Sequence, residues 1–310
     1  MSSSTLPQAG ELNLQAILRL NWRELLIVRF FQLCAWISVV TSFAIILILT
    51  IESSAFFKTV PFWDYLTGTN WSPLIEPRSF GVLPLICGTA VVSLGACLIA
   101  VPVGLASAIY LAEYASPVTR RIIKPTVELL AGIPSVVYGY FAVTTVTPML
   151  QYFFPSTDVF NAASAAIVLG IMVLPMITTL CDDAIRATPR SIHEGAFALA
   201  ATKSEVTIGI LVPSAMSAIM ASFILGFSRA IGETMAVALA AGSTPTMGMN
   251  PLTSMQTMTG YIVQVAMGDV PHGTIEYQSI FAVAATLFVM TLVLNILSQY
   301  IVRRFARSWE

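Results

Sequence analysis

Long apolar runs alternate with short polar segments along most of this sequence. Six of the runs reach the length of about 20 residues that a helix needs to cross a lipid bilayer. They are Phe30–Ile51, Val82–Leu111, Thr126–Phe153, Val159–Leu180, Pro213–Ala241 and Ile280–Val302. The pattern therefore predicts an all-α fold, a polytopic membrane bundle of six transmembrane helices.

Prolines inside the runs predict that the helices pack around an interior. Pro102, Pro134, Pro148 and Pro175 all lie within predicted spans. Each proline removes a backbone donor, and in lipid the freed carbonyl must be satisfied by protein or by a cavity. We therefore expect a packed bundle and not a set of isolated anchors.

The basic residues predict the orientation of the six spans. Only Lys58 and Arg78 fall on one side of the membrane, and Arg229 falls inside the fifth span. The other side carries Arg19, Arg23, Arg29, Arg120, Arg121, Lys124, Arg186, Arg190, Lys203, Arg303, Arg304 and Arg307. Cytoplasmic loops carry the excess of Lys and Arg, so both termini are predicted to be cytoplasmic.

These spans divide the chain into five segments. The prediction is a cytoplasmic N-terminal segment (1–29), a first transmembrane helix (30–51), a periplasmic loop (52–80), a transmembrane core (81–302) and a cytoplasmic tail (303–310). Trp63 and Trp71 in the first external loop predict an ordered cap on the membrane surface. In the second external loop, Pro251–Met267 is predicted to be a short helix or a re-entrant segment.

Composition excludes several classes of function. Hydrophobic residues make up 56% and charged residues 10% of the chain, and the mean hydropathy is +0.82. Soluble domains are about 25% charged, so a soluble enzyme and a disordered chain are both excluded. The net charge of −1 provides no basic field for nucleic acid. The four cysteines form no C-x-x-C pair, and we predict no disulfide framework, metal site or cofactor.

The loop from Cys181 to Val212 is long for a connection between two spans. Pro189 or Ser191 is predicted to open a helix, with Glu194 in its first turn. The small and apolar residues at 195–201 would leave this helix with an exposed apolar face. Two interpretations stay open on composition alone: an interface for a partner protein, or an amphipathic helix that rests on lipid.

The spacing in this loop resembles the EAA loop of binding-protein-dependent ABC transporter permeases. That motif reads Glu-Ala-Ala, three residues, Gly, nine residues, Ile, any residue, Leu, Pro. The matching positions here are Glu194, Gly195, Ala196, Ala200, Ile210, Val212 and Pro213. Gly195, Ala200 and Val212 depart from the motif, each by a small-for-small or apolar-for-apolar change.

This resemblance implies a coupling helix that is seated in a groove of a separate ATPase subunit. A helix followed by Pro213 at the start of the fifth span would act as a rigid lever. The chain is not expected to bind ATP itself, because Thr202-Lys203-Ser204 lacks the glycine of a phosphate-binding loop. No nucleophile set is expected either, since His193 and His272 fall on opposite predicted sides of the membrane.

The fifth span contains two charged residues, Arg229 and Glu233. Each ionised group at mid-bilayer costs roughly 2.5–3.5 kcal/mol. Four residues apart, they are predicted to share one helix face and to pair. One interpretation is a buried ion pair that fixes helix register. The other is a polar substrate path, in which Arg229 offers planar donors to an oxyanion and Glu233 holds and partly neutralises it.

The run Arg229-Ala230-Ile231-Gly232-Glu233-Thr234-Met235-Ala236-Val237 resembles the span-five signature of PstC-type permeases of phosphate ABC importers. The run from Gly132 to Gly139 in the third span is similar to that family too, and the resemblance covers about residues 80–302. It implies the type I ABC importer fold, a non-catalytic subunit and a multi-pass location in the bacterial inner membrane.

The same resemblance implies the partners. They are a PstA-like second permease subunit, two copies of a PstB-like ATPase subunit and a PstS-like extracytoplasmic phosphate-binding protein. Arg229 and Glu233 occupy the positions of the family's intramembrane Arg and Glu, which matter for transport.

Other residues in the spans carry weaker signals. Ser135 and Tyr138 either offer hydroxyls to phosphate or satisfy the backbone that Pro134 frees. Thr234 either joins the path or bonds to its own backbone. Glu128 and His193 are predicted to be surface groups, and Asp182-Asp183 is predicted to be a solvated pair.

Alternative functions remain open on the sequence. Within the class, they are a permease for sulfate or molybdate, and the PstA-type partner subunit. Outside it, they are an ion-coupled secondary transporter that uses Arg229 and Glu233 as a proton relay, and a membrane scaffold without transport.

Overall fold

The computed structural model describes residues 22–306 of the chain. Two of the predicted orientation-setting residues, Arg19 and Arg307, lie outside these residues. The chain divides into two units, residues 1–51 and residues 52–310. In the first unit, helix α1 begins at Trp22, and most of its apolar side chains are exposed, as is typical of a helix that faces lipid.

Helices account for nearly all of the regular structure. The α-helices are α1 (Trp22–Thr59), α2 (Phe62–Thr67), α3 (Leu83–Ile109), α4 (Pro117–Ala131), α5 (Ser135–Phe141), α6 (Thr147–Phe153), α7 (Ala162–Arg186), α8 (Arg190–Ala198), α9 (Lys203–Val206), α10 (Val212–Ser214), α11 (Met216–Gly232), α12 (Met235–Ala240), α13 (Met258–Ala266) and α14 (Ile275–Ala306). Three π-helical turns, Tyr110–Tyr114, Ala142–Val146 and Thr207–Leu211, join some of them.

Within residues 22–306, four helical segments are long and apolar enough to cross a membrane alone: Glu24–Thr59, Leu83–Tyr114, Ala162–Arg186 and Ile275–Tyr300. Two more spans are bent. Helix α4 meets the segment Ser135–Phe153 at 88°, and the segment Lys203–Ser214 meets α11 at 70°. Six spans result when each bent pair counts as one, in agreement with the predicted number.

Small residues let α3 and α7 pack closely in parallel. A methyl group added at Gly95 would lie 2.9 Å from the Ala166 Cβ, and one added at Gly104 would lie 2.8 Å from the Ile177 Cγ2. The contacts advance in the same direction along both helices. Such close approach of backbones is typical of helices that associate in membranes.

Helix α11 crosses α7 in the opposite direction. Gly226 lies against Ile177, and Ser222 forms a hydrogen bond with Cys181, with 2.9 Å between the Oγ and Sγ atoms. The bundle therefore has two ends. The loop end carries residues 181–212, and the cap end carries residues 52–80 and 242–279.

Two of the three π-helical turns within residues 22–306 end two positions before a proline. The turn Ala142–Val146 precedes Pro148, and the turn Thr207–Leu211 precedes Pro213. Proline donates no backbone hydrogen bond, and the helix widens there. Pro102 and Pro175, in contrast, lie inside the continuous helices α3 and α7.

Residues 52–80 form the predicted ordered cap, around a cluster of aromatic side chains. Phe56, Tyr65 and Trp71 are buried, and the rings of Trp71 and Tyr261 meet edge to face at 4.8 Å. The cap also contains β1 (Trp71–Ser72) and β2 (Ser79–Phe80), an antiparallel pair. Residues 73–78 connect the two strands, which are two residues long each and are a small addition to the predicted helical fold.

The second cap-end segment contains a short helix, as predicted for Pro251–Met267. Helix α13 is capped by the side chain of Thr257, which accepts from the Gly260 backbone. Burial raises the pKa of Tyr261 to about 12, so its hydroxyl stays protonated and bonds to Ser279. The hydroxyl of Thr259 on the same helix reaches the fifth span, where it donates to the Glu233 carbonyl at 2.9 Å.

Candidate functional site

Helix α8 is the predicted helix of the 181–212 loop. It begins at Arg190, directly after Pro189, which was one of the two predicted starts. Glu194 lies in the second turn and not in the predicted first turn, because the extended backbone of Pro189 makes Arg190 the first helical residue. Glu194 and Gly195 are exposed, whereas Ala196 is buried against the bundle. The helix thus presents one face to solvent at the loop end.

Ala200 stands where the EAA motif has glycine, and the backbone of Ala200 has a conformation that favours glycine. Its φ is +59°, in the left-handed region that glycine adopts most easily. Its N–H donates to the Phe197 carbonyl at 2.9 Å and ends the helix. The chain therefore makes a left-handed turn at this motif position with a residue whose Cβ is strained there.

The link from α8 to the fifth span is less direct than predicted. Helix α9 and a π-helical turn that contains Ile210 separate α8 from Pro213, and α9 opens with a capping box between Thr202 and Glu205. The span then bends by 70° at Ala215. The prediction of a helix followed at once by Pro213 is therefore wrong, because local capping starts a second helix.

The predicted pairing of Arg229 and Glu233 is wrong as well. Helix α11 ends at Gly232, and Glu233 takes an extended backbone with φ −67° and ψ 133°. The two residues therefore do not share a helix face, and among residues 22–306 no ion pair forms with either of them. The Arg229 side chain is exposed at the end of α11.

The carboxylate of Glu233 turns instead toward the start of α12. Its Oε1 accepts from the Ala236 backbone N–H at 3.4 Å, near the positive end of that helix. Thr234 donates to the Gly232 carbonyl at 3.2 Å, which is the local backbone bond foreseen as one of its two alternatives. The break in the fifth span is thus held by side chains of the break itself and by Thr259.

The third span is broken as well. Gly132, Ile133 and Pro134 separate α4 from α5. Ser135 is the first residue of α5 and is partly exposed, whereas Tyr138 is buried and donates to the Leu130 carbonyl at 2.8 Å. For Tyr138 the structure thus favours support of the broken backbone, one of its two predicted alternatives.

Close packing of α5 on α12 brings the two breaks together. A methyl group at Gly139 would lie 2.9 Å from the Leu239 Cβ and 3.0 Å from the Ala236 carbonyl oxygen. The helices that follow both breaks therefore lie side by side. Ser135 and Thr234 stand at the ends of these helices that face the breaks.

Asp182 and Asp183, which were predicted to be a solvated pair, belong to an ion network at the loop end. Asp182 is fully buried and receives two hydrogen bonds from Arg120, at 2.8 and 2.6 Å, and one from Lys124 at 3.0 Å. Lys124 also contacts the exposed Asp183. The signal was available in the predicted topology, which places all four residues at the same membrane face.

A second contact that the sequence did not reveal involves His193. Its Nε2 lies 3.1 Å from the Oε2 of Glu113, in the π-helical turn at the end of α3. The imidazole also packs on the ring of Phe197, with centroids 5.0 Å apart. Glu128, by contrast, is exposed as predicted.

Comparison with known proteins agrees with this arrangement. Residues 100–307 match the family described as the binding-protein-dependent transport system inner membrane component. The probable ABC transporter permease protein YqgH of Bacillus subtilis is 34% identical over 273 residues, which cover 87% of this chain and 88% of YqgH. The phosphate transport system permease protein PstC of Mesorhizobium japonicum is 33% identical over 264 residues, with coverage of 78% and 79%.

Solved structures agree on the fold. A chain of the MetNI methionine ABC transporter in an inward-facing conformation superposes with a TM-score of 0.54 at 16% identity, covering 73% of this chain and 94% of that one. The predicted class, the membrane bundle of an ABC importer permease, is confirmed. The chain belongs to the family of binding-protein-dependent transport system inner membrane components, whose members are non-catalytic permease subunits of ABC transporters.

Proposed function

We propose that this permease imports inorganic phosphate across a bacterial inner membrane, with both termini in the cytoplasm. The observation that carries the proposal is Arg229, an exposed guanidinium in an apolar span that forms no ion pair among the described residues. The similarity to PstC of Mesorhizobium japonicum supports phosphate as the substrate.

The chemistry of Arg229 suits a tetrahedral oxyanion. A guanidinium presents planar donors that fit two oxygens at once, and it stays charged in an apolar environment. An ionised side chain at mid-bilayer costs roughly 2.5–3.5 kcal/mol, a penalty that an arriving anion offsets. Glu233, beyond the helix end, lowers the local positive potential without occupying the guanidinium. Arg229 then binds the anion transiently and releases it.

The broken spans supply the rest of the path. Ser135 is the first residue of α5 and Thr234 directly precedes α12, so both hydroxyls lie where the third and fifth spans are interrupted. Tyr138 belongs to the wall of the path, where it holds the break through the Leu130 carbonyl. Irregular backbone at membrane depth is tolerated where protein buries it or where it lines a water-filled path, which is the role proposed for these two breaks.

The exposed surfaces suit the proposed partners. Arg229 is exposed on this chain, so a PstA-like second permease subunit completes the path. Two PstB-like ATPase subunits dock at the loop end of the complex. The EAA-type positions on this chain are Glu194, Gly195, Ala196, Ala200, Ile210 and Pro213, of which Glu194, Gly195 and Ala200 are exposed and available for contact. A PstS-like binding protein delivers phosphate to the cap end.

ATP-driven uptake of radiolabelled phosphate into proteoliposomes tests the proposal. The complex is purified with its partner subunits, and Arg229→Gln is compared with Arg121→Gln, which removes an exposed charge at the loop end. Arg229→Gln should lower uptake about 10- to 100-fold, the equivalent of losing ~1.5–3 kcal/mol of hydrogen bonding to a charged group. Arg121→Gln should transport normally, and both complexes should co-purify intact.

Three results would contradict the proposal. Unchanged uptake by Arg229→Gln would remove this residue from the path. Competition by sulfate or molybdate as strong as that by unlabelled phosphate would assign another oxyanion. Uptake by the isolated chain without ATP would indicate a secondary transporter.

A further inference from the structure

The π-helical turn at the end of α3 contacts both α8 and the start of α9. Glu113 contacts His193 of α8 with 3.1 Å between Oε2 and Nε2. The next residue, Tyr114, lies under the ammonium of Lys203, which is 5.1 Å from the ring centroid at the start of α9. Two adjacent residues of one turn therefore contact α8 and the helix that follows it.

The same turn is tied to the two neighbouring spans. Its Leu111 carbonyl accepts a hydrogen bond from Arg120 at 2.8 Å, and Arg120 in turn binds the buried carboxylate of Asp182 near the end of α7. A π-helical turn carries one extra residue, and such turns are frequent at functional sites. The turn is thus the place where α3, α4, α7 and the loop meet.

We propose that this turn links the position of α8 to the second span, with Glu113 and His193 as positioning residues. The inference rests on the proposed function, in which an ATPase displaces α8. Most of α8 is exposed, so few contacts fix it to the bundle. Glu113 is well shielded, with 11% of its side chain exposed, and α3 packs along α7 through its glycines. A displacement of α8 therefore reaches the centre of the bundle through a rigid helix.

The ratio of phosphate transported to ATP hydrolysed reports this linkage. It is measured in proteoliposomes with the complete complex, for Glu113→Ala, for His193→Ala and for the exchanged pair Glu113→His/His193→Glu. Each single variant should lower the ratio about 2- to 30-fold, the range by which residues between two coupled sites change their coupling. ATP hydrolysis and co-purification of the ATPase should persist, and the exchanged pair should restore at least half of the ratio.

Glu128→Ala is the matched control, because Glu128 is an exposed carboxylate at the same end of the bundle. It should leave the ratio unchanged. If the wild-type complex shows no ATP-driven phosphate uptake, the proposed function itself has failed. If the wild-type complex transports phosphate, the linkage is refuted when the single variants keep the ratio, and also when the exchanged pair fails to restore it.

Discussion

The guanidinium of Arg120 holds the carboxylate of Asp182 by two hydrogen bonds, of 2.8 and 2.6 Å. Asp182 is fully buried near the end of α7, and Arg120 lies on α4, so the pair joins two spans at the loop end. A buried carboxylate keeps its charge only when such partners satisfy it. The pair therefore fixes the first turn of α4 against the end of α7, on the N-terminal side of the bend in the third span.

Asp182→Asn should destabilise the protein strongly. The substitution leaves Arg120 and Lys124 facing a neutral group, and breaking a buried pair in this way costs about 3–5 kcal/mol. The free energy of unfolding in detergent, from chemical denaturation, measures the loss. Asp183→Asn is the matched control, because the Asp183 side chain is 60% exposed and pairs with Lys124 at the surface. It should change the stability by less than about 1 kcal/mol, and equal effects of the two variants would disprove the role of burial.

Ala200→Gly should stabilise the end of α8. A Cβ at φ +59° destabilises the folded state by about 1–2 kcal/mol. Glycine removes this strain, but the greater freedom of the unfolded chain lowers the free energy of unfolding by about 0.5–1 kcal/mol. The net gain should slow the exchange of the backbone amides of residues 197–200, measured by hydrogen–deuterium exchange mass spectrometry. Ala198→Gly, within the right-handed helix, should speed exchange instead. The same direction of change for both variants would rule out strain at Ala200.

The spans could be predicted from the sequence, because length and hydropathy decide membrane insertion one segment at a time. The ends of the helix with Arg229 could not. Residues 213–241 form one apolar run, and nothing local shows that Glu233 leaves the helix. The break is held in part by Thr259, which is 26 residues further along the chain. A contact of that kind depends on the packed bundle and not on local propensity.

The candidate sites divide in the same way. The spacing from Glu194 to Pro213 is local, so the EAA-type loop and its helix could be identified from the sequence. The interpretation of Asp182-Asp183 as solvated was wrong for Asp182. The predicted topology placed Arg120 and Lys124 at the same membrane face, but they lie about 60 positions earlier in the chain, and only the fold shows that they contact a buried carboxylate. Glu113 and His193 are 80 positions apart, and only the fold brings them into contact.

Gly226→Ala should separate α11 from α7. The added methyl group would lie 2.9 Å from the Ile177 Cδ1 and 3.0 Å from its Cγ1, and overpacking of this kind costs about 1–3 kcal/mol. Ile177→Val removes the Cδ1 and should recover part of the loss in the double variant, as measured by the free energy of unfolding. Gly209→Ala is the control, since within residues 22–306 its added methyl group has no atom within 4 Å beyond its chain neighbours and its own helix backbone. Additive effects of the two substitutions would show that these residues do not meet.

Thr259→Val should impair transport by loosening the break in the fifth span. The hydroxyl of Thr259 donates to the Glu233 carbonyl at 2.9 Å, and Thr259 is 5% exposed. A buried carbonyl that loses its partner costs about 1–3 kcal/mol, so the break should shift and ATP-driven phosphate uptake should fall about 5- to 100-fold. Thr291→Val is the matched control. Its hydroxyl bonds to the Leu287 carbonyl of its own helix, so that variant should keep its uptake rate. Equal rates for the two variants would mean that α13 does not hold the position of Glu233.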